Sequence, residues 1–176
     1  MRDLAQTRVG RVTGDRQVIY SGQDFSLKGE KGRFVLPAGF RKTVAQSSDG
    51  KMLCLDKHHR WNCLVGFGLS RESELEAQLE RDEERALRLG QDFDIDIRRH
   101  HLFGFARLPF DDSGRFVMPQ HLIGLAALAD GVFFHGAGTF FTLWAPEELY
   151  RMGAEFENAQ AACRALAADN AKGKKG

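Results

Sequence analysis

The sequence predicts an α+β fold, mainly β, assembled from two tandem pseudo-symmetric repeats with a linker helix between them and a C-terminal helix after them. Three observations predict it. Gly32-Arg33-Phe34-Val35-Leu36-Pro37 returns 82 residues later as Gly114-Arg115-Phe116-Val117-Met118-Pro119, with one volume-conserving exchange. Each copy leads into the same succession: Asp49-Gly50-Lys51-Met52-Leu53-Cys54 or Asp130-Gly131-Val132-Phe133-Phe134-His135, then a β-prone run at Trp61 to Val65 or Phe140 to Trp144. Between the copies, residues 70 to 99 combine helical spacing with dense charge. One repeat is small for enclosing a core of its own, so two in one chain are expected to pack as a pseudo-dimer.

Residues 1 to 22 read as a basic leader with Arg2, Arg8, Arg11 and Arg16 and little apolar periodicity, expected to lie outside the core. The first repeat occupies 23 to 69. Glu30-Lys31-Gly32, like Asp112-Ser113-Gly114 in the second copy, puts the turn glycines Gly32 and Gly114 where a tight hairpin needs positive φ. Arg33-Phe34-Val35 and Arg115-Phe116-Val117 alternate polar with apolar, the strand period. Pro37 and Pro119 stop the ladder and suit a helix start, which predicts helices from Pro37 to Val44 and Pro119 to Leu128. Each repeat thus reads as hairpin, short helix, second hairpin, with its arginine at the first hairpin's tip.

In the second hairpin of the first repeat, Cys54, His58, His59 and Cys63 are of metal-ligand types. With His58-His59 as a two-residue turn, Cys54 and Cys63 would face one another across the ladder, the histidines about 13 Å away. That spacing favours a reduced structural hairpin over a metal site.

The connector, 70 to 104, is expected to begin a helix at Ser70 or Ser73, where Ser73-x-x-Glu76 has capping-box spacing. Leu75, Leu79 and Ala86 form a thin apolar stripe, and Gly90 suits a C-terminal cap. Asp94 should open a second short helix ending near His100-His101. The second repeat, 105 to 148, is rich in aromatics. Phe133-Phe134 and Phe140-Phe141 place rings on both faces of their strands. One face suits the core. The other would be bare on a monomer, which argues for oligomerisation. Gly136-Ala137-Gly138 precedes a strand and reads as a turn, not a dinucleotide loop. In the last segment, 149 to 176, a helix begun at Pro146 is expected through Leu166, with Leu149, Met152, Phe156, Ala159 and Cys163 along one face and a frayed Gly173-Lys174-Lys175-Gly176 end.

The 176 residues are 43% hydrophobic and 28% charged, with a net charge of +1, the profile of a globular chain. The charge is segregated: residues 28 to 42 sum to +4 and residues 70 to 99 to −4. Three cysteines without a CxxC pair make no disulfide framework, and a reducing cytoplasm is the expectation. No apolar run reaches the about 18 residues a membrane span needs, and the N-terminus shows no signal-peptide core. No Gly-x-Ser-x-Gly, HExxH or phosphate-loop motif occurs, so no enzyme and no cofactor are expected. Asp111 and Asp112 suit a turn, and Asp111 is spaced to orient Arg115 through a charge-assisted hydrogen bond.

The sequence resembles the MraZ family, built from two SpoVT-AbrB (swapped-hairpin) repeats. The resemblance rests on Tyr20-Ser21-Gly22 leading to Leu27, on Lys31-Gly32-Arg33-Phe34-Val35-Leu36-Pro37 with Phe40-Arg41, and on Asp111-Asp112-Ser113-Gly114-Arg115-Phe116-Val117-Met118-Pro119 with Leu128 and Phe141-Thr142-Leu143-Trp144. The family's Asp-x-x-x-Arg mark is intact at Asp111 and Arg115, whereas Gly29 replaces the acid ahead of Arg33. The resemblance implies a double-psi, AbrB-like swapped-hairpin barrel. It implies a cytoplasmic, nucleoid-associated transcriptional regulator binding double-stranded DNA with short direct repeats, upstream of the division and cell-wall gene cluster and of its own gene. It also implies a ring-shaped homo-oligomer. Arg33 and Arg115 would then enter the major groove or clamp phosphates, and Lys28, Lys31, Arg41 and Lys42 would add sequence-independent affinity. The other reading is an antitoxin-like protein-interaction module, with residues 153 to 176 wrapping a partner.

Overall fold

The first strand of each repeat leaves its own repeat and pairs with the other. In the computed structural model, which describes residues 17–47 and 50–173, β1 (Gln23–Leu27) is followed by β2 (Phe34–Val35), α1 (Ala38–Ser47), β3 (Met52–Lys57) and β4 (Leu64–Gly68). The connector holds α2 (Leu75–Arg88) and α3 (Ile95–Phe103). Then β5 (Ala106–Pro109), β6 (Arg115–Phe116), α4 (Gln120–Leu125), β7 (Gly131–Gly136) and β8 (Phe141–Trp144) repeat the first series, and α5 (Pro146–Tyr150) and α6 (Glu157–Gly173) finish the chain. Most of the expected leader and the Lys174-Lys175-Gly176 end lie outside the described residues.

The large sheet is antiparallel, in the order β1-β7-β8-β4-β3-β5. Replacing each strand by its counterpart in the other repeat returns the same order reversed. β1 lies on β7 as β5 lies on β3, and the two repeats join at β4–β8. The exchange extends past the ladders: Lys28 N–H donates to Asp130 O at 2.7 Å, and its counterpart Phe110 N–H to Lys51 O at 3.1 Å. The expected first hairpins are corrected accordingly. Their turns close, with Gly29 N–H on Arg33 O and Asp111 N–H on Arg115 O. The strands on either side then part, because β1 and β5 find their partners in the opposite repeat. β2 and β6 pair with each other as a separate two-stranded ribbon. The sheet is open, with β1 and β5 at its edges, and no ladder closes it into a barrel among the described residues.

The two faces of the sheet have different covers. Phe134, Phe141, Leu143, Leu53 and Leu55 face the ribbon, α1 and α4, and form the main core with Phe34, Leu36, Phe40, Phe116, Met118 and Leu122. Phe40 sits 5.0 Å from the Phe141 ring, and Gly66, paired with Phe141, leaves that ring its space. On the opposite face, Phe25, Phe133 and Trp144 form a second core with Cys63, Leu149 and Cys163 under α5 and α6. The aromatic face expected to be bare is therefore covered by the chain's own C-terminal helices, and the inference of oligomerisation from it does not stand. The expected stripe is correct in its burial: Leu149 and Cys163 are buried, and Met152, Phe156 and Ala159 pack against the cluster. The single helix from Pro146 to Leu166 is not. Gly153 is extended (φ −74°, ψ −175°), and Gln160 Nε2 caps the break by donating to Leu149 O and Met152 O at 3.0 and 2.9 Å.

Two further expectations are corrected. The β3–β4 loop runs through residues 58–63, with Lys57 opposite Leu64 and Cys54 opposite Phe67. His58 Nδ1 accepts the N–H groups of Arg60 and Trp61, both at 3.1 Å, which winds a wider loop than a two-residue turn. Cys54 and Cys63 therefore belong to different clusters. The capping box is absent: residues Leu69–Glu74 form a 3₁₀ turn, Ser73 Oγ donates to Ser70 O at 2.9 Å, and α2 starts with no side-chain cap. Gly90 does end α2, at φ +61° with Gln91 N–H on Ala86 O at 2.9 Å, a Schellman closure. Asp94 caps α3, accepting from Asp96 N–H and Ile97 N–H at 3.0 Å each.

Candidate functional site

In the ribbon, Phe34 pairs with Phe116 and Val35 with Arg115. Successive side chains of a strand alternate in direction. Phe34 and Phe116, each 2% exposed, point into the main core, so Arg33, Val35, Arg115 and Val117 share the outer face. The register sets Arg33 across from Val117 and diagonal to Arg115, about 7–8 Å apart between Cα atoms. Val117 is 68% exposed and adds an apolar contact surface to the face that carries both arginines. The sequence did place both arginines next to positive-φ glycines, Gly32 at +67° and Gly114 at +81°. It did not show that the two copies would be paired edge to edge.

The second turn is firmly built. Asp111 Oδ1 accepts from Ser113 N–H and Arg115 N–H, both at 2.9 Å, and Oδ2 accepts from Arg115 Nε at 2.7 Å. The backbone N–H of Arg115, then its guanidinium and the Ser113 N–H, hold the Asp111 carboxyl below the usual carboxylate range. With Nε engaged, the two Nη groups of Arg115 project as a pre-set fork, the geometry that reads a guanine edge or grips a phosphate. Asp112 is ion-paired with Lys51 of the other repeat, a link sequence reasoning missed. Its only signal was the doubled acid: one carboxylate serves Arg115, leaving the next for a neighbour. Arg41 reaches across from α1 and lies against Gly114, where a Cβ would come 2.8 Å from its Nη1 and 2.5 Å from Leu36 O.

The first turn is looser. Gly29 offers no carboxylate, and the Arg33 guanidinium has no hydrogen bond or ion pair among the described residues. Lys31 stands beside Gly32 and, at φ +57°, also occupies left-handed backbone. Lys28 sets its ammonium 5.5 Å from the Phe34 ring centre. The structure thus gathers Lys28, Lys31 and Arg33 on one turn and Arg41 on the other. Lys42 is exposed on α1, and no bond ties it to either turn among the described residues.

No group of three or more His, Cys, Asp or Glu side chains capable of holding a metal occurs among the described residues. Burial pushes the Cys54 thiol up to about 11 and that of Cys63 to about 12, so both are protonated and poor ligands at neutral pH. No helix is long and apolar enough to cross a membrane among the described residues.

No family model matches the chain. Individual proteins do. A protein of Parvibaculum lavamentivorans is 34% identical over 122 residues, 66% of this chain and 69% of its own length. One from Rhodospirillum rubrum is 31% identical over 122 residues (68% and 74%), and one from Gluconacetobacter diazotrophicus 31% over 139 residues (78% and 85%). All three carry the name transcriptional regulator MraZ. The chain belongs to the MraZ family. Within this MraZ-family chain the Asp-x-x-x-Arg mark corresponds to a formed unit at Asp111 and Arg115, and to a turn without its acid at Gly29 and Arg33.

Proposed function

We propose that this chain is a sequence-specific DNA-binding transcriptional regulator. The ribbon is its reading edge, with Arg33 and Arg115 as the base- or phosphate-contacting prongs. The observation that carries this reading is the shared outer face: two arginines from two repeats, set diagonally at a two-pair ladder over a buried Phe34–Phe116 pair. Lys28, Lys31, Arg41 and Lys42 add phosphate attraction. Residues 23–69 and 105–148 are then the two SpoVT-AbrB repeats, and the palindromic strand order supports reading them as a swapped-hairpin unit.

The target is double-stranded DNA carrying short direct repeats upstream of the division and cell-wall gene cluster and of the regulator's own gene. One ribbon offers few contacts, so a ring of protomers engaging several repeats supplies affinity by avidity. The antitoxin-like alternative needs residues 153 to 176 free to wrap a partner. α6 instead lies on β1 and β7 of its own chain, which counts against it.

Fluorescence anisotropy with labelled upstream DNA across a salt series tests this reading. Arg115→Ala is expected to weaken binding more than Arg33→Ala. Arg115 is pre-oriented and loses little side-chain entropy on binding, whereas Arg33 must be ordered. A lost bidentate base contact would cost about 1–3 kcal/mol. Equal losses would remove the role given to Asp111, and no loss at either position would remove the reading.

A further inference from the structure

A cavity of about 70 Å³ lies between the β3–β4 hairpin and the connector helices, on the sheet face opposite the ribbon. Arg71 is 8% exposed and forms part of its wall, held between the Phe67 and Phe140 rings at 5.5 and 5.4 Å. A buried guanidinium ordinarily has a carboxylate beside it. Among the described residues Arg71 has only neutral acceptors: Nη1 donates to Thr139 O at 3.3 Å and Nη2 to Gln78 Oε1 at 2.6 Å. Glu74 acts on it through its field but forms no ion pair with it. Of five guanidinium donors, three have no hydrogen-bond partner among the described residues.

The rest of the lining is also donor-rich. His58 Nδ1 accepts two backbone N–H groups, so the neutral ring carries its proton on Nε2, which has no partner among the described residues. Lys57 donates to His58 O and Trp61 O. Arg98 pairs with Asp82 at 2.7 Å, and the exposed His59 and His101 stand at the rim. The one carboxylate in the lining, Asp56, accepts the Lys57 N–H at 2.7 Å and forms no ion pair among the described residues. The space exceeds the about 10–15 Å³ that a single water needs and matches a compact tetrahedral ion better than an organic metabolite.

We propose that this cavity binds a small tetrahedral oxyanion of phosphate type, received by Arg71, the Nε2–H of His58 and the rim cation Arg98. Because these groups come from the hairpin, the 3₁₀ turn before α2, and α3, the bound ion pins the connector to the first repeat. The ion is either free inorganic phosphate or the terminal phosphate of a small phosphomonoester.

The test is a titration of the full chain in chloride buffer, followed by the His58 ring resonances in ¹H–¹³C NMR. Inorganic phosphate and phenyl phosphate are the probes, and sodium chloride at matched ionic strength is the control. Simple thermal stabilisation is not diagnostic, because phosphate raises the stability of most proteins by exclusion from their surface. The expected result is a saturable His58 shift with phosphate and none with chloride. Saturation by phenyl phosphate identifies an ester as an acceptable occupant; saturation by inorganic phosphate alone identifies the free ion. Arg71→Met and, at the more tolerant rim, Arg98→Gln should each weaken binding by about tenfold or more, the value of a lost charged hydrogen bond. If Arg71→Met does not fold, Arg98→Gln decides. The Arg33→Ala/Arg115→Ala variant should give the same saturable His58 shift, which separates this site from any phosphate contact at the ribbon. No shift, or an unsaturable linear drift with phosphate, or saturable binding indifferent to Arg98→Gln, would overturn the proposal.

Discussion

Arg33 and Arg115 have matching positions in the ribbon, yet the residues around their turn glycines differ, and stability should report the difference. Gly32 and Gly114 both have positive φ, but among the described residues a Cβ on Gly32 would meet only Lys28 Cε at 3.6 Å, whereas one on Gly114 would strike Leu36 O at 2.5 Å. Gly32→Ala is expected to cost about 1–2 kcal/mol, the left-handed penalty alone. Gly114→Ala should cost clearly more, since Leu36 N–H bonds to Gly114 O at 2.8 Å and cannot move away without breaking the ribbon. Urea unfolding of the two variants measures this, and a smaller cost at Gly114 would contradict the packing described.

His58 carries a separate expectation. Burial, then the neighbouring His59, Lys57, Arg60 and Arg98, lower its pKa to about 4. The unfolded chain takes up that proton near pH 6.5. The stabilising contribution is therefore complete above about pH 6.5 and is lost as pH falls toward 4, because the unfolded state binds more protons in that window. A loss on the order of 2 kcal/mol between pH 7 and 4.5 is expected in phosphate-free buffer. His58→Asn, whose Oδ1 keeps the acceptor, should flatten that part of the profile. These environments were only partly legible in the sequence. Positive φ at Gly32 and Gly114 followed from the residue type, but the burial of His58 followed from ring stacking on Trp61 at 4.5 Å, which no spacing rule announces.

At the scale of elements, the short helices, the β7–β8 hairpin, the Gly90 cap and the Asp94 cap were readable because each rests on local chemistry; the β3–β4 hairpin was readable in kind, but its second strand is Leu64–Gly68 and the expected run from Trp61 begins in the loop. The capping box at Ser73 failed for a local reason too: the 3₁₀ turn drew its hydroxyl back to Ser70 O. The sequence reads as one helix across Gly153, but Leu149 lies on α5, Met152 in the link and Phe156 in a 3₁₀ turn before α6, so the three apolar residues reach one cluster from a broken helix. Its role was misjudged as well, since periodicity shows that a face is apolar but not which surface it meets. α6 is now expected to be essential to the fold. Deleting residues 153–176 would uncover Phe133, Trp144 and Phe25. At about 1.5–3 kcal/mol for each large apolar side chain, the loss rivals the whole stability of a domain. Circular dichroism melting with a dye for exposed apolar surface should show loss of the cooperative transition. An unchanged melt would contradict the covering role of α6.

At the scale of the whole molecule, the doubled sequence was legible but the exchange of strands was not. Repeats 82 residues apart fit two hairpins side by side as well as two interleaved ones. The choice depends on long-range pairing: Phe25 with Phe133, and Leu53 with Leu108. That exchange brings β2 and β6 together and makes one surface of two turns. It also makes the two halves unequal, with a braced turn around Arg115 and an open, more basic one around Arg33. The most direct test is anisotropy of the Arg33→Ala/Arg115→Ala chain on its own upstream DNA, beside the unaltered chain at the same salt, with circular dichroism confirming the same melt. The expected result is a loss of affinity of about a hundredfold or more, with a shallower salt dependence. Undiminished binding by a folded double variant would contradict the ribbon as the DNA-reading edge.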